Sequence, residues 1–369
     1  MDPETLRADI PAVEETAYLN TGASGPSPRR VVDAATECLE RHEYEAHATG
    51  DPYDVGFGEL AQSRERVAEF LGADETDIAL TNSTADGISR VAAAVDWDAD
   101  DTVVYTDLEH PAGVLPWERA ADVHGIDTRV LETTAGRLDF DALKNAVADA
   151  RLLCLSSLSW NYGTRLRVAE AVDIAHDAGT RVVVDAVQSP GQHPIDVTEW
   201  GADAVAAAGH KWLLGLWGAG MLYVAPDFAE TLEPRRASYR SVESMGGPDS
   251  SLRSGARQLE IGTTSPAPHA ALRTAIDTIG AVGMDTVQDR VADLTDYLKD
   301  GLGDRLRSPH EYESGLVTFD ADDPDAVVER AGEAGVVVRS IPDPEAARAS
   351  VHVFNTRDDI DRLLAVLDG

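Results

Sequence analysis

The sequence is poor in cysteine and has no long hydrophobic run. Its 369 residues include only two cysteines, Cys38 and Cys154, which lie far apart and belong to no cluster with metal-ligand spacing, so a disulfide framework and a zinc site are disfavoured. No apolar stretch approaches the roughly 18 residues that a membrane span requires, and residues 1–16 are acidic rather than signal-like. We therefore expect a soluble cytoplasmic protein without a bound metal or a membrane partner.

Positive charge is also scarce. Lysine and arginine together number 31 against 66 aspartates and glutamates, which gives a formal net charge of −35. This charge repels nucleic acid and anionic lipid, so neither is expected as a partner. The acidic residues are spread along the whole chain, which is typical of a halophilic surface, because molar salt shortens the Debye length to about 3 Å and screens self-repulsion. An ordinary acidic protein is the alternative.

Short apolar β-rich runs alternate with helical stretches between residues 81 and 224. This alternation predicts an α/β fold with a mostly parallel sheet flanked by helices. The predicted strands of this sheet are 102–106, 128–131, 152–156, 181–185, 204–207 and 220–224.

The remaining C-terminal sequence predicts a smaller α+β unit. Its predicted strands are 316–319, 336–340 and 350–354. The length of the chain suits two domains, which we expect at 18–264 and 265–369, with residues 1–17 as an N-terminal segment packing on the smaller one. Within the domain expected at 18–264, the Gly/Ser-rich segment 241–257 lacks periodicity and predicts a mobile loop.

A lysine in an apolar setting is the strongest local signal for chemistry. Lys211 lies in segment 208–212 (Ala-Gly-His-Lys-Trp), just after a predicted strand, in a chain with only two other lysines, Lys144 and Lys299. Neutralising a lysine at pH 7 costs about 4.6 kcal/mol, so a buried lysine needs a purpose. A Schiff base with a cofactor aldehyde supplies one; a snorkelling surface lysine is the alternative.

A carboxylate and an amide precede this lysine. Asp185 ends the predicted strand 181–185, at the strand end where open α/β sheets bind ligands, and Gln188 follows three residues later. A structural aspartate that caps a turn is the alternative for Asp185 alone.

Asp185, Gln188 and the Gly209-His210-Lys211 triplet, in this order and spacing, resemble class V aminotransferases. This group of fold-type I pyridoxal 5'-phosphate (PLP) enzymes includes cysteine desulfurases, selenocysteine lyases, kynureninase and isopenicillin N epimerase-like enzymes. The likeness extends from segment 18–22 (Tyr-Leu-Asn-Thr-Gly) to segment 354–361. The resemblance implies PLP as cofactor and the PLP-dependent transferase fold, with a large cofactor-binding domain and a smaller C-terminal one.

The resemblance also implies residue roles around the cofactor ring. Lys211 holds the cofactor as a Schiff base and then acts as general base, while Asp185 keeps the pyridine nitrogen protonated. His110, in a Glu-His motif, stacks on the ring and completes the catalytic set. Gln188 turns to the ring oxygen, and His210 contacts the phosphate.

Five further positions are carried over from the family. Ser83 and Thr84 lie at a strand-to-helix turn that would hold the phosphate, although an ordinary N-cap uses the same residue types. Thr263 matches a threonine that reaches the phosphate of a neighbouring subunit, which implies a homodimer with shared active sites. Asn20 and Arg348 are the expected substrate-binding residues, with Arg348 on the α-carboxylate.

Three departures from the family pattern bear on the reaction. Ala208 stands where a serine is common, and Trp160 rather than Asn161 aligns with an asparagine that touches the cofactor. Segment 339–348 (RSIPDPEAAR) carries no cysteine where persulfide-forming desulfurases have theirs, which disfavours a persulfide relay.

Several functions therefore stay open. Transamination or β-elimination at the Cα of a small amino acid is the preferred interpretation. Cysteine desulfurase, selenocysteine lyase or epimerase chemistry is the first alternative, and a non-catalytic PLP-fold protein is the second. A Rossmann dehydrogenase is disfavoured because no Gly-x-Gly-x-x-Gly opens a helix after the first strand. Which amino acid is the substrate does not follow from the sequence.

Overall fold

A computed structural model describes residues 1–244 and 250–369. Its strands are β1 Ala17–Tyr18, β2 Ile78–Thr81, β3 Thr102–Thr106, β4 Asp127–Leu131, β5 Leu152–Ser156, β6 Arg181–Asp185, β7 Ala204–Ala208, β8 Gly220–Val224, β9 Leu316–Phe319, β10 Val336–Val337, β11 Arg339–Pro342 and β12 Glu345–Ser350.

The α-helices of the described residues fill most of the chain between these strands. They are α1 Pro3–Ala8, α2 Arg29–Glu40, α3 His47–Thr49, α4 Pro52–Leu71, α5 Thr84–Ala94, α6 Leu115–His124, α7 Phe140–Val147, α8 Val168–Asp177, α9 Val197–Trp200, α10 Pro226–Ala229, α11 Ala267–Val282, α12 Met284–Leu302, α13 Pro324–Glu333 and α14 Arg357–Asp368. None of these helices combines the length with the apolar composition of a membrane span.

A seven-stranded sheet forms the centre of the molecule, in the order β2-β8-β7-β6-β5-β3-β4. Strands β7, β6, β5, β3 and β4 run parallel, whereas β8 is antiparallel to both of its neighbours. The parallel strands therefore end at one edge, where Ser156 lies opposite Asp185 and Asp185 opposite Ala206. This α/β architecture, with a mostly parallel sheet flanked by helices, confirms the predicted fold class.

Helices cover both faces of this sheet because its strands are apolar on both sides. Along β5, Leu153 and Leu155 pack in one buried cluster, and Leu152 and Cys154 pack in another on the opposite face. This alternation follows from the two-residue period of a strand. Helix α4 ends at Gly72, which takes the left-handed conformation with φ 71° that favours glycine.

A smaller antiparallel sheet has the order β11-β12-β9, and its apolar residues form a separate buried cluster with α12, α13 and α14. Strand β1 pairs in parallel with β10, so the N-terminal segment meets this part of the molecule. An ion pair of 2.8 Å between Arg7 and the buried Asp359 strengthens the junction. The domain boundaries at 17/18 and 264/265 stay predictions.

Two strand predictions in this smaller unit are wrong. The predicted strand 336–340 is divided between β10 and β11, which belong to different sheets. The predicted strand 350–354 lies too late: β12 ends at Ser350, where its pairing with Leu316 of β9 ends. Val351, Val353 and Phe354 are buried but form no strand ladder. Their apolar side chains suggested a strand, and this caused the wrong prediction.

The predicted loop 241–257 is partly regular. Residues 245–249 lie outside the described residues, so this part of the prediction is not addressed. Val242 and Leu252 form an isolated antiparallel bridge, and Gly255–Leu259 forms a 3-10 helix. The 3-10 helix is stabilised by burial of Ala256 and Leu259. This burial outweighs the preference of the Gly/Ser-rich sequence for irregular structure.

Candidate active site

A cavity of ≈ 320 Å³ opens at the carboxyl edge of the central sheet. Eight of the ten residues predicted for the site line it, namely Ser83, Thr84, His110, Asp185, Gln188, His210, Lys211 and Arg348. Residues from the end of β6, the turn after β7, the start of α5 and the β11–β12 hairpin thus converge. The volume lies in the usual range for small-molecule sites.

Lys211 is held by a tight turn after β7. The amide of Leu214 donates to the Lys211 carbonyl at 3.0 Å, and the amide of Gly25 donates to the His210 carbonyl at 2.7 Å. A Cβ at Gly25 would lie 2.1 Å from the Lys211 oxygen, so only glycine allows this approach. Burial, partly offset by Asp185, lowers the pKa of Lys211 to about 8. The amine is consequently easier to deprotonate than that of an exposed lysine.

Asp185 is 3% exposed at the end of β6. Its Oδ1 accepts a hydrogen bond from the Val187 amide at 3.0 Å, and its Oδ2 accepts none from the described residues. Burial raises the pKa of Asp185, while the nearby Lys211 lowers it. One carboxylate oxygen thus remains available to a cationic group in the cavity.

Gln188 forms hydrogen bonds through both ends of its amide. Its Nε2 donates to the Gly22 carbonyl at 3.1 Å, and its Oε1 accepts from the Trp212 indole at 2.7 Å. The oxygen is therefore engaged, and one N–H of Nε2 is left for a ligand. Gln188 also ties together the segments that carry Gly22 and Trp212, beside Lys211.

The two hydroxyl residues at the start of α5 differ. Ser83 Oγ accepts a hydrogen bond from the Asp86 amide at 3.1 Å and acts as the N-cap of α5. An ordinary N-cap was the alternative to phosphate binding for this residue. Thr84 Oγ1 is buried without a hydrogen-bond partner among the described residues. An unpaired hydroxyl at the N-terminus of an eleven-residue helix fits an anion such as phosphate.

His110 directly follows a buried acid, Glu109, in the sequence. Burial, together with the charges of Lys211, Arg339 and Arg348, lowers the pKa of His110 to about 4, so its imidazole is neutral at pH 7. The Trp160 ring meets it edge-on at 5.6 Å. Neighbouring Glu109 was not assigned a role from the sequence, and burial raises its pKa to about 8.

Three hydrogen bonds fix that Glu109 carboxyl group. Oε1 accepts from the Thr106 hydroxyl at 2.7 Å and from the Ser156 amide at 2.8 Å, and Oε2 pairs with the Ser156 hydroxyl at 2.7 Å. Glu109 thus joins the ends of β3 and β5. No local signal identified it, because its partner Ser156 lies 47 residues further along the chain.

Arg348 is 1% exposed and forms no ion pair with a carboxylate of the described residues. Its Nη1 donates to the Trp160 carbonyl at 2.7 Å, whereas Nε and Nη2 have no partner in the described parts of the chain. Burial, with the charge of Arg339, lowers the pKa of Arg348 to about 9. A buried guanidinium with unused donors fits a carboxylate ligand.

Trp160 lines the cavity and Asn161 does not. The Asn161 amide is instead engaged away from it, accepting from Ser159 Oγ at 2.6 Å and donating to the Asp343 carbonyl at 3.1 Å. The geometry agrees with the ungapped alignment that puts Trp160 at the asparagine position.

The other two predicted residues lie apart from the cavity. Thr263 lines a separate cleft of ≈ 420 Å³, where its hydroxyl pairs with the Tyr239 hydroxyl at 2.5 Å. Asn20 forms a backbone bridge with Ser350, and its buried Oδ1 lacks a partner among the residues described. His210, by contrast, lines the cavity, and its ring lies 5.2 Å from that of Trp217.

Neither cysteine lines the cavity. Cys38 is buried in α2 and Cys154 in β5. Burial raises the pKa of the Cys38 thiol and raises that of Cys154 well above its ordinary value. Since the thiolate is the nucleophile, both thiols are in unreactive surroundings.

The donor set of the cavity fits PLP. It provides a lysine amine, a buried carboxylate oxygen for a ring N–H, and an unpaired hydroxyl at a helix N-terminus for a phosphate. The described residues contain no group of three or more potential metal ligands.

Comparison with known proteins agrees with this chemistry. The family model described as aminotransferase class-V matches residues 17–363. A probable cysteine desulfurase of Methanothermobacter thermautotrophicus is 31% identical, with 100% of this chain and 98% of the relative covered. Isopenicillin N epimerase of Streptomyces clavuligerus is 30% identical, with 95% and 94% covered.

The fold is similarly matched by solved structures. The cystine C–S lyase C-DES, in complex with its product cysteine persulfide, superimposes with a TM-score of 0.91 and 26% identity. The match covers 97% of this chain and 98% of that structure.

Proposed function

Because the chain belongs to the aminotransferase class-V family, we propose that Lys211 holds its cofactor and moves the Cα proton of its substrate. The chain is a PLP-dependent enzyme that acts on a small amino acid. When bound, PLP supplies an electron sink for charge that develops at Cα. The observation that carries the assignment is the convergence of Lys211, Asp185 and Arg348 in one cavity.

The other lining residues hold cofactor and substrate. Asp185 keeps the ring nitrogen protonated through its free oxygen. Thr84, Ser83 and His210 bind the phosphate, with the α5 N-terminus adding favourable partial charge. His110 packs on the ring as a neutral imidazole, which its lowered pKa supports.

Substrate binding uses the unpaired donors of the cavity wall. Arg348 binds the α-carboxylate through Nε and Nη2. Asn20, two residues before Gly22 of the cavity wall, is the second proposed substrate contact. Gln188 contributes its remaining N–H to the ring oxygen. Lys211, with a pKa near 8, then serves as general base because a large share of its amine is neutral at mildly basic pH.

Transamination or β-elimination is the reaction that we propose. A persulfide relay needs a thiolate at the cavity, and both thiols are buried elsewhere. β-Elimination is supported by the likeness to a cystine C–S lyase. Epimerisation is the second candidate, since the epimerase relative matches 95% of the chain.

The deciding experiment gives a panel of amino acids to the PLP-loaded enzyme, with and without 2-oxo acids, and identifies products by mass spectrometry. We expect either a 2-oxo acid that depends on an amino acceptor or an elimination product. The Cys38→Ser, Cys154→Ser double variant should give the same products, with at most a loss of stability from a hydroxyl in a buried position. A persulfide on either thiol, or a folded and loaded double variant without activity, would show desulfurase chemistry instead.

A homodimer with shared sites is part of the proposal. Thr263 lies outside the Lys211 cavity of its own chain, which supports a role for it in the site of a neighbouring subunit. Light scattering on the loaded enzyme should give twice the chain mass of 39.4 kDa. A monomer that retains full activity would contradict this arrangement.

The acidic surface suits a cytoplasm rich in salt, where we place the enzyme. A net charge of −35 opposes compaction, and added salt screens that repulsion. We expect the unfolding midpoint to rise as KCl increases from low concentration to the molar range, and activity to rise with it. Calorimetry over a KCl series measures the midpoint, and a flat series would argue for an ordinary acidic protein.

A further inference from the structure

Two buried carboxyl groups lie at the carboxyl edge of the central sheet, and only Asp185 lines the Lys211 cavity. The other is Glu109, which is 7% exposed and forms no ion pair with a lysine or arginine of the described chain. Ser156 links the two acids, since its amide donates to Glu109 Oε1 at 2.8 Å and it pairs with Asp185 in the strand register. Ionising both acids in such a place costs more free energy than ionising one.

The surroundings push these two acids toward different protonation states. Burial raises the pKa of Asp185, but the Lys211 amine opposes that effect. Burial, with a further contribution from the charge of Asp185, raises the pKa of Glu109 to about 8. The Cys154 thiol of β5 also acts on Glu109, and it is neutral because burial raises its pKa well above the ordinary value. Glu109 is therefore mostly protonated at pH 7.

The hydrogen bonds of Glu109 suit a neutral carboxylic acid. Oε1 accepts from the Thr106 hydroxyl at 2.7 Å and from the Ser156 amide at 2.8 Å. Oε2 lies 2.7 Å from the Ser156 hydroxyl, which can accept as well as donate. A proton on Oε2 can therefore be donated to Ser156 Oγ while Oε1 keeps both of its donors. A Cβ at Gly113 would lie 3.0 Å from Oε2, so the glycine leaves room for this oxygen.

Glu109 also anchors the turn that carries His110. The Glu109 amide donates to the Thr106 carbonyl at 3.3 Å, so its backbone and its side chain both bind the end of β3. His110 follows, and its Nδ1 accepts from the Ala112 amide at 3.3 Å, which leaves the proton of the neutral imidazole on Nε2. The His110 ring thus has a fixed tautomer on an anchored turn at the cavity wall.

We infer that Glu109 is a positioning residue that works as a neutral carboxylic acid: it anchors the turn that presents His110 to the cofactor ring, and it leaves the negative charge at this edge of the sheet to Asp185. The inference rests on the proposed function of the Lys211 cavity. An ionised Glu109 would increase the proton affinity of Asp185. Asp185 would then be less able to act as the anion that keeps a ring nitrogen protonated.

Infrared difference spectra of the PLP-loaded enzyme test the protonation state, because a carboxylic acid absorbs at higher frequency than a carboxylate. The difference between wild type and Glu109→Gln should contain a carboxylic-acid band at pH 7. The band should fall as the pH rises through about 8, since the acid is protonated below its pKa and ionised above it. Glu132→Gln, at an exposed position, is the matched control and should remove no acid band. A carboxylate band from Glu109 at pH 7 would overturn the inference.

Circular dichroism of the bound cofactor tests the positioning, because this signal depends on how the protein holds the ring. Glu109→Ala deletes the anchor of the His110 turn, so it should reduce the signal and weaken PLP binding about five- to tenfold, as expected for a lost ring contact. Glu109→Gln should keep both near the wild-type values, because its amide reproduces the donor and the acceptor of the protonated acid. Unfolding midpoints identify the variants that are folded.

A folded Ala variant with the wild-type signal and affinity would contradict the positioning role. A Gln variant that loses as much as the Ala variant would show that the charge of Glu109 is required, against the inference. If the Ala variant does not fold, the Gln variant and the infrared bands decide the question. If the wild-type protein binds no PLP at Lys211, the proposed function itself fails.

Discussion

Lys211→Ala is expected to abolish turnover while the protein still folds. The variant removes the amine that we propose as both cofactor anchor and general base, but it leaves the phosphate and carboxylate donors in place. Borohydride reduction of the loaded wild-type enzyme should fix PLP on the peptide that contains Lys211, and the variant should incorporate none. Peptide mapping by mass spectrometry measures both results.

The two other lysines provide the controls. Lys144 is exposed on α7, and Lys299 is buried, where it donates to the carbonyls of His310 and Glu311 at 3.3 and 3.0 Å. Lys144→Ala should therefore retain normal activity and normal labelling of Lys211. Cofactor fixed on Lys144 or Lys299 would contradict the assignment.

Asp185→Asn should retain PLP and lose at least about a hundredfold in kcat, because a preorganised electrostatic partner contributes roughly 3 kcal/mol or more. The amide oxygen can still accept the Val187 hydrogen bond that Asp185 Oδ1 accepts at 3.0 Å, so the turn after β6 should remain intact. What the variant loses is the negative charge that keeps a ring proton in place.

Steady-state kinetics and cofactor content, measured on the same samples, separate this effect from loss of cofactor. A variant that binds PLP normally and keeps a near-normal rate would show that Asp185 is a structural carboxylate. A variant that folds but no longer binds PLP would instead place its main contribution in cofactor affinity.

The sequence identified six of the seven strands of the central sheet, all except β2, because burial and strand pairing coincide there. Predicted strands 102–106, 152–156, 181–185 and 220–224 match β3, β5, β6 and β8 residue for residue, since runs that are buried on both faces are apolar throughout. At 351–354 burial occurs without ladder pairing, so the same signal failed. The apolar composition of a segment indicates that it is buried, but it does not show whether its backbone pairs with a neighbouring strand.

The residues of the site could be predicted where they belong to a sequence motif. Eight motif residues meet in one cavity, whereas Arg339 and Glu109 received no role because their relevance depends on neighbours that are distant in sequence. Strand pairing places Arg339 opposite Arg348, and this register is not visible in the sequence. Thr263 depends on a second subunit, so one chain cannot supply its surroundings.

The cavity walls come from two different sheets. Lys211 and Asp185 follow strands of the central sheet, while Arg339 and Arg348 stand on the hairpin of the smaller one. A short exchange within residues 339–348 can thus alter the charge presented to a ligand and leave the central strands untouched. Such a division separates the hairpin that presents charge to a ligand from the elements that carry the lysine and the buried acid.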